Sequence, residues 1–190
     1  MSATPNSPKA DASRMTRPLT ADDPRPAPDA GPSEAAEDRV RRLKRAFGAY
    51  PTGVTVVTTM ARGAPLGFTA NSFTSVSIDP PLLLVCHGNA ATSAPAFQGA
   101  EGFAVNVLAA DQDALAMRFA SRIDDRFGGV DWSKGRGGPL LSGTAAWFDC
   151  AMHAVHDAGD HAILVGHVLD HGVEERASLL YAGGKFQAAP

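Results

Sequence analysis

The chain has 190 residues, a net charge of −3 and two cysteines, a length that allows one domain with a sizeable core and a tail. The slightly acidic balance lacks the basic surface that nucleic-acid binding needs, and no apolar run reaches membrane-spanning length. Two isolated cysteines in apolar surroundings indicate free thiols in a reducing compartment. We therefore expect a cytoplasmic protein with no nucleic-acid and no membrane partner.

Residues 1–33 differ in composition from the rest of the chain. They contain half of the 14 prolines, interleaved with alanine, serine and aspartate. Such a segment has little apolar surface to offset the entropy cost of ordering, and it lacks the apolar core of a secretory signal. We predict a disordered tail over 1–33 and one folded domain over 34–187.

The first periodic segment, Glu34–Ala49, is predicted to be a helix. Val40, Leu43 and Phe47 recur at helical spacing, and Ser33 stands where an N-cap is expected. Acidic residues open this segment and basic residues close it, which complements the helix dipole. We interpret the basic cluster as a solvated face of the helix.

Most of the remaining chain has the pattern of β-strands separated by short turns. Strands are predicted at Val54–Met60, Leu66–Ile78, Leu82–Cys86, Gly102–Leu108, Ala145–His156, His161–Leu169 and Ser178–Tyr181. A short helix is predicted with Asp111 as its cap, and Ser121–Leu141 is predicted to be an irregular loop. The unbroken apolar run Leu82–Cys86 predicts burial on both faces. Successive strands with few helices predict a mainly β fold, an antiparallel barrel with peripheral helices.

The common catalytic signatures are missing from the sequence. There is no Gly-x-Gly-x-x-Gly between a strand and a helix, no P-loop, no His-Glu-x-x-His and no Gly-x-Ser-x-Gly. Five of the six histidines follow residue 150, but none has an acidic or cysteine partner at zinc spacing, so no metal site is predicted. Cys86 ends an apolar run and is interpreted as a small core residue rather than a nucleophile.

One predicted strand is rich in side chains that form hydrogen bonds. Between Leu66 and Ile78 they are Thr69, Asn71, Ser72, Thr74, Ser75 and Ser77. A strand that only filled a core would carry Val, Ile and Leu at half of these positions. The pattern fits a surface that presents donors to a polar, phosphorylated ligand, and it fits the polar face of an ordinary edge strand equally well.

Five motifs resemble those of a known family in their order and spacing. They are PTGVTVVTT (Pro51–Thr59), GFTANSFTSVSIDPPLLLVC (Gly67–Cys86), FAVNVL (Phe103–Leu108), DRF (Asp125–Phe127) and GDH (Gly159–His161). Together they make residues 39–186 resemble the flavin reductase family, the small reductase components of two-component flavin-dependent monooxygenases. The resemblance implies the FMN-binding split barrel, a Greek-key-like antiparallel fold, and a homodimer with its flavin site near the interface.

The resemblance also implies an activity. Family members oxidise NADH or NADPH, reduce FAD or FMN, and release the reduced flavin to a separate monooxygenase. Hydride passes directly between the two cofactors, so no catalytic acid or base is expected and the protein positions the rings. The alternatives are a split-barrel oxidase that keeps its flavin tightly bound and a non-enzymatic flavin-binding module. The sequence does not separate FAD from FMN, and it favours NADH over NADPH because no arginine is placed to read a 2′-phosphate.

By the same resemblance, the cofactor-binding residues are Pro65, Leu66, Gly67, Phe68, Thr69, Asn71, Ser72, Cys86, His87, Gly88, Thr92, Ser93 and Phe127. The first five are expected to meet the isoalloxazine, and Cys86–Ser93 to wrap the ribityl chain and phosphate. Gly67 and Gly88 are expected to let the backbone approach a flat ring. His161 and Tyr181 are the expected nicotinamide-nucleotide site, and the alternative for His161 is a hairpin-end histidine that contacts solvent.

Overall fold

A computed structural model describes residues 33–188 of the chain. The predicted disordered tail lies outside the described residues except for Ser33, so it stays a prediction. The chain divides into two units, Met1–Val40 and Arg41–Pro190. Of the first unit the structure describes only the beginning of helix α1 (Ser33–Gly48), and the fold below belongs to the second unit.

The second unit is built mainly from antiparallel strands. They are β1 (Thr52–Gly53), β2 (Thr55–Ala61), β3 (Ala64–Ala70), β4 (Thr74–Ile78), β5 (Pro81–Gly88), β6 (Gly102–Val107), β7 (Trp132–Lys134), β8 (Pro139–Leu141), β9 (Ala146–Ala158), β10 (His161–Val173), β11 (Leu179–Ala182) and β12 (Lys185–Ala188). Two short helices, α2 (Ala94–Gln98) and α3 (Asp113–Ala120), complete it. The predicted mainly β, antiparallel fold with peripheral helices is confirmed.

Seven strands form one sheet in the order β3-β2-β6-β9-β10-β5-β4. Its two edge strands, β3 and β4, follow each other in the chain and are joined by Asn71–Phe73 alone. Three residues span at most about 15 Å, so the sheet must curl until its edges meet, which makes it a barrel. Ser72 lies at this seam, where its Oγ accepts a 2.9 Å hydrogen bond from the Cys86 backbone N–H on β5.

Strand β2 separates two apolar clusters because successive side chains point to opposite faces. Val57 belongs to the cluster inside the barrel, with Val85, Phe103 and Leu164 among its members. Val56 belongs to a second cluster on the outer face, which includes Phe119 of α3 and Leu179 of β11. Residues 54–59 are therefore all buried, and β-branched side chains suit both faces of such a strand.

Several predicted element bounds were wrong. The single strand Leu66–Ile78 is two strands, because the chain must cross the barrel seam at Asn71–Phe73. The loop Ser121–Leu141 contains the β7–β8 hairpin. Gln112, not Asp111, precedes α3 as its cap residue, and the Asp111 carboxylate instead binds Arg176 Nη2 at 2.7 Å.

The apolar faces of β5 and α1 are only partly covered. On β5, Leu83 and Val85 are buried whereas Leu82 and Leu84 are partly exposed, because the outer cluster that covers β2 does not extend to β5. The predicted helix α1 exists, but its periodic residue Phe47 is 69% exposed. The burial on both faces that was predicted for Leu82–Cys86 is therefore not observed.

Candidate functional site

A groove of about 680 Å³ runs between β3, the loop after β5 and the end of α3. We call it the Phe68 groove. Its lining comprises Phe68, Thr69, Ala90, Ala91, Thr92, Ser93, Phe119, Ala120, Arg122, Ile123, Asp124 and Arg126. Four of these residues, Phe68, Thr69, Thr92 and Ser93, belong to the predicted cofactor site, so the structure brings two distant parts of that prediction together.

Strand β3 contributes an aromatic ring and a hydroxyl to the groove. The Phe68 ring contacts His87 edge-on, with centroids 4.1 Å apart, and Phe97 in the same manner at 4.9 Å. Thr69 Oγ1 donates a 2.6 Å hydrogen bond to the Ala116 carbonyl of α3. The two side chains are thus held by packing and by one hydrogen bond, which fixes the wall of the groove.

His87 lies beneath the groove rather than in its lining. The side chain is 1% exposed, it stacks on Phe97, and its Nε2 lies 3.1 Å from Ser93 Oγ. Burial lowers the pKa of His87 from its usual value, and the charge of nearby His161 lowers it further. His87 is therefore a neutral ring that orients Ser93 and supports Phe68.

Arg126 joins the loop after α3 to strand β3. Its Nη1 donates to the Gly67 carbonyl at 3.1 Å, and its Nε donates to the Ser121 carbonyl at 3.0 Å. A planar guanidinium is suited to binding two acceptors at once. Arg126 thereby sets the distance between the two sides of the groove.

Packing within the protein gives a reason for glycine at position 67 that the sequence did not show. A Cβ at this position would lie 2.7 Å from the Phe119 ring, closer than real Cβ atoms come. The Phe119 ring therefore occupies the space that a side chain at this position would need, and the expected contact of Gly67 with the isoalloxazine stays a prediction. Phe119 in turn lines the Phe68 groove.

The DRF segment, Asp125–Phe127, forms a turn in the loop after α3, and its phenylalanine does not line the Phe68 groove. Asp125 Oδ1 accepts a 2.7 Å hydrogen bond from the Gly128 N–H, which closes a turn. Phe127 packs edge-on against Phe119 at 5.0 Å in the outer cluster. The structure therefore places Phe127 one layer behind the groove, whereas it was expected beside the cofactor.

His161 stands at the tip of the β9–β10 hairpin, next to the loop that follows β5. The turn residue Gly159 has φ +71°, a conformation that glycine adopts readily. The Asp160 carbonyl accepts a 2.9 Å hydrogen bond from the Asn89 N–H, and a Cβ on Gly88 would lie 3.6 Å from His161 Nε2. The hairpin tip is thereby attached to the start of the predicted phosphate loop.

Asp160 orients the His161 ring. His161 Nδ1 donates a 2.7 Å hydrogen bond to Asp160 Oδ1. This bond, together with the charge of the imidazole, holds the pKa of Asp160 below its usual value. The side chain of His161 is about half exposed, so its Nε2 remains available to a ligand.

The other predicted residues lie outside the groove lining. Ser72 and the Cys86 backbone bind each other across the barrel seam, and Asn71 is exposed in the same link. Pro65 pairs with Met60 on the β2–β3 hairpin. Leu66 lines a neighbouring cavity, described below.

Tyr181 is not brought to His161 within one chain. It pairs with Thr52 of β1, the short strand that precedes β2. Across the sheet, the first residue of β2 is aligned through β6 and β9 with Val173, the last residue of β10. His161 is at the opposite end of β10, a strand of 13 residues, which corresponds to roughly 40 Å of extended chain. The expected joint nicotinamide site of His161 and Tyr181 is not formed by a single chain.

Residues that the sequence did not single out complete the groove. They are Phe119 of α3 and two arginines of the loop that follows it, Arg122 and Arg126. The position of Arg126 inside the DRF motif was the available signal. Among residues 33–188, no group of three or more His, Cys, Asp or Glu is arranged to hold a metal ion. Over the same range, the helices are too short or too polar to cross a bilayer.

The second unit is thus a small antiparallel barrel with a groove beside strand β3. Residues 47–190 match the flavin reductase like domain. The match covers well over half of the chain, and the chain belongs to this family. The resemblance inferred from the five motifs is confirmed.

Relatives with assigned names are similar over most of this chain. The stachydrine N-demethylase reductase subunit Stc3 of Rhizobium meliloti is 47% identical over 78% of the chain and 65% of its own length. The reductase component of the flavin-dependent trigonelline monooxygenase of Acinetobacter baylyi is 47% identical over 80% of the chain and 49% of its own length. The chain thus spans 65% and 49% of the length of these two curated relatives.

Solved structures support the same grouping. The NADH:FAD oxidoreductase SgcE6 of Streptomyces globisporus, in complex with NAD and FAD fragments, superposes with a TM-score of 0.75 at 44% identity, covering 80% of this chain and 92% of that one. BorF, the flavin reductase component of a bacterial two-component tryptophan halogenase, has a TM-score of 0.74 at 42% identity, covering 80% and 98%. The barrel described above is the fold of this family.

Proposed function

We propose that the protein is an NAD(P)H:flavin oxidoreductase that reduces FAD or FMN with NADH and supplies the reduced flavin to a partner monooxygenase. The observation that carries the proposal is the Asn89–Asp160 hydrogen bond, which attaches the His161 hairpin tip to the loop whose next residues, 90–93, line the Phe68 groove. Two substrates that exchange a hydride must bind side by side, and these two surfaces are adjacent. The names of the relatives, reductase components among them, support the same activity.

The lining of the Phe68 groove fits a flavin. Phe68 and Phe119 offer apolar walls, Thr92 and Ser93 offer hydroxyls, and Arg122 offers a cation for a phosphate. About 680 Å³ is within the volume range of roughly 300–1,000 Å³ that is usual for small-molecule sites. When bound there, the flavin supplies the hydride-accepting chemistry.

In this proposal, the residues of the chain contribute to the reaction by positioning the two substrates. The His87 ring fixes Ser93 Oγ, and Arg126 fixes the Gly67 carbonyl, so the groove is preorganised before a ligand enters. Asp160 holds His161 through Nδ1, which leaves Nε2 directed away from the carboxylate. We propose that His161 orients the nicotinamide nucleotide over the groove. No proton transfer by the protein is needed for a direct hydride transfer.

A homodimer is part of the proposal. Helix α1 presents Leu43 and Phe47 at i and i+4, and Tyr50 follows two residues after the end of the helix. Their exposed fractions are 51%, 69% and 75%. Large apolar residues grouped in this way are typical of an interface. A second copy would also offer its own Tyr181 to the site, which one chain does not do.

Both cysteines support a reducing, cytoplasmic location. Cys86 and Cys150 are free thiols. Burial, together with the charge of Asp149, raises the pKa of Cys150 to about 12, so this thiol is unreactive at neutral pH. Persistent disulfides belong to oxidising compartments, and among the described residues none is formed.

The test is the loss of NADH absorbance with purified full-length protein. NADH and NADPH are each supplied with FAD, with FMN or without added flavin. We expect NADH oxidation that depends on added flavin, because a carrier reductase releases its flavin. Activity without added flavin would indicate a tightly held cofactor, and no activity with any combination would overturn the proposed function.

A further inference from the structure

A second cavity adjoins the Phe68 groove. Its volume is about 830 Å³, and Thr92 lines both the groove and this cavity. We call it the Arg136 cavity. Leu66 of β3 and Pro95 of α2 form apolar parts of its wall. A ligand that passes Thr92 therefore leaves the groove and enters a space of comparable size.

Two guanidiniums from separate elements converge on the cavity. Arg62 lies in the β2–β3 turn, where its φ is +52°, and Arg136 lies in the β7–β8 connection. Within residues 33–188 neither guanidinium makes a hydrogen bond or an ion pair. Glu101 is the one carboxylate among the described lining residues. The cavity thus has an excess of positive charge and unoccupied donors.

The backbone that carries Arg136 is fixed by a buried carboxylate. Asp149 is 4% exposed, and its two oxygens accept hydrogen bonds from the backbone N–H groups of Arg136 at 2.6 Å and Gly137 at 2.7 Å. A Cβ on Gly137 would lie 2.3 Å from the Cys150 carbonyl, and one on Gly138 would lie 2.4 Å from the Thr58 carbonyl. Arg136 is the only residue with a side chain in this Gly-Arg-Gly-Gly segment. The hydrogen bonds to Asp149 fix the surrounding backbone and so hold Arg136 at the cavity.

We propose that the Arg136 cavity binds the adenylate half of FAD, so that the protein prefers FAD to FMN. This inference rests on the proposed flavin site in the Phe68 groove. FAD differs from FMN by an adenylate attached to the phosphate at the end of the ribityl chain, the point at which the ligand reaches Thr92. Arginine is well suited to bind phosphate oxygens in a forked manner. The apolar wall at Leu66 and Pro95 suits a purine ring.

The experiment measures the dissociation constants of oxidised FAD and FMN by titration calorimetry, without a nicotinamide nucleotide. Full-length wild type is compared with Arg62→Met, Arg136→Met and Glu101→Gln, and Lys185→Met is the matched control for loss of an exposed cation. Each arginine variant is expected to weaken FAD about tenfold and FMN by less than about twofold. Glu101→Gln should tighten FAD about twofold, because a carboxylate near the phosphates repels them. The control should match wild type.

Other results would overturn the assignment. Equal weakening of FAD and FMN, or no weakening of either, means that the cavity holds no adenylate of the flavin. If the arginine variants bind FAD as the wild type does but have a higher KM for NADH with FMN as acceptor, the two arginines bind the adenylate of the nicotinamide nucleotide instead. Failure of wild type to bind either flavin would instead overturn the proposed function, so the two failures are distinguishable.

Discussion

At the scale of single residues, His161 is the side chain whose role can be tested most directly. It contacts Asp160 through Nδ1 and lies beside Gly88, and within residues 33–188 its side chain makes no other hydrogen bond. His161→Ala should raise the KM for NADH about tenfold, because a positioning contact to the nicotinamide nucleotide is lost. The flavin dissociation constant should change by less than about twofold. Steady-state kinetics and flavin titration measure the two quantities separately.

Asp160→Asn is the companion variant. It keeps a side chain of the same size but removes the carboxylate that fixes the His161 ring, so a smaller rise in the KM for NADH, about threefold, is expected. Equal loss of flavin and NADH binding in His161→Ala would assign His161 a structural role and contradict this prediction.

His87 makes the stability of the protein depend on pH. Burial lowers its pKa in the folded state below the value near 6.5 of the unfolded chain, so the unfolded state binds a proton more readily. The stabilisation is fully present above the unfolded pKa and is lost as the pH falls through the lower, folded pKa. The urea midpoint of the wild type should therefore decrease between about pH 8 and about pH 5.

His87→Gln is the informative comparison. Glutamine can still reach Ser93 with a hydrogen bond, but it does not titrate. The variant should be less stable at neutral pH, because a stacked ring is lost from between Phe68 and Phe97. The decrease of its urea midpoint on acidification should nevertheless be smaller than that of the wild type. An identical decrease would mean that other groups dominate the acid response.

At the scale of elements, the loop after α3 is attached to β3 by Arg126. Its guanidinium bridges the Gly67 and Ser121 carbonyls. Arg126→Ala should free this loop, weaken flavin binding about tenfold and speed amide exchange over residues 121–128. Arg126→Lys tests whether the two hydrogen bonds or only the positive charge matter, because an ammonium keeps the charge but does not offer the same planar fork. We expect the lysine variant to lose nearly as much as the alanine variant.

Arg122→Ala serves as the control for this clamp. Arg122 lines the same groove, and within the described residues it binds no carbonyl. Its loss should affect flavin affinity without changing amide exchange in the loop. If Arg126→Lys binds flavin as the wild type does, Arg126 acts through its charge and the clamp interpretation is wrong.

Much of the barrel was predictable because local patterns decide it. The β-branched run of β2 and the turn at Gly159 depend on neighbouring residues, so strand β2 and the His161 hairpin were predicted to within a few residues. The role of Gly67 was not predictable, because it depends on the ring of Phe119 on a helix far along the chain. The same holds for Asp149, whose carboxylate binds a loop before it in sequence. Long-range contacts of this kind leave no periodic signal in a single sequence.

At the scale of the whole molecule, the apolar surface left by one chain predicts assembly. Phe47 and Tyr50 on and after α1 are exposed, and edge strand β4 exposes Ile78 to 90%. Burying one such side chain contributes about 1.5–3 kcal/mol, so several together can stabilise a dimer. We expect light scattering of the wild type to give twice the chain mass of 19.7 kDa.

Phe47→Glu should shift this equilibrium to the monomer, because a carboxylate buried in an interface without a partner is costly. An increase of the dimer dissociation constant of about 100-fold or more is expected. Met117→Glu is the matched control, since Met117 is a 59% exposed apolar residue on α3, outside the α1 surface, and its mass should remain that of the wild type. If the site needs a second copy, the Phe47→Glu monomer should also lose flavin reduction, and addition of excess flavin should not restore it. A fully active monomer would show that one chain forms the complete site.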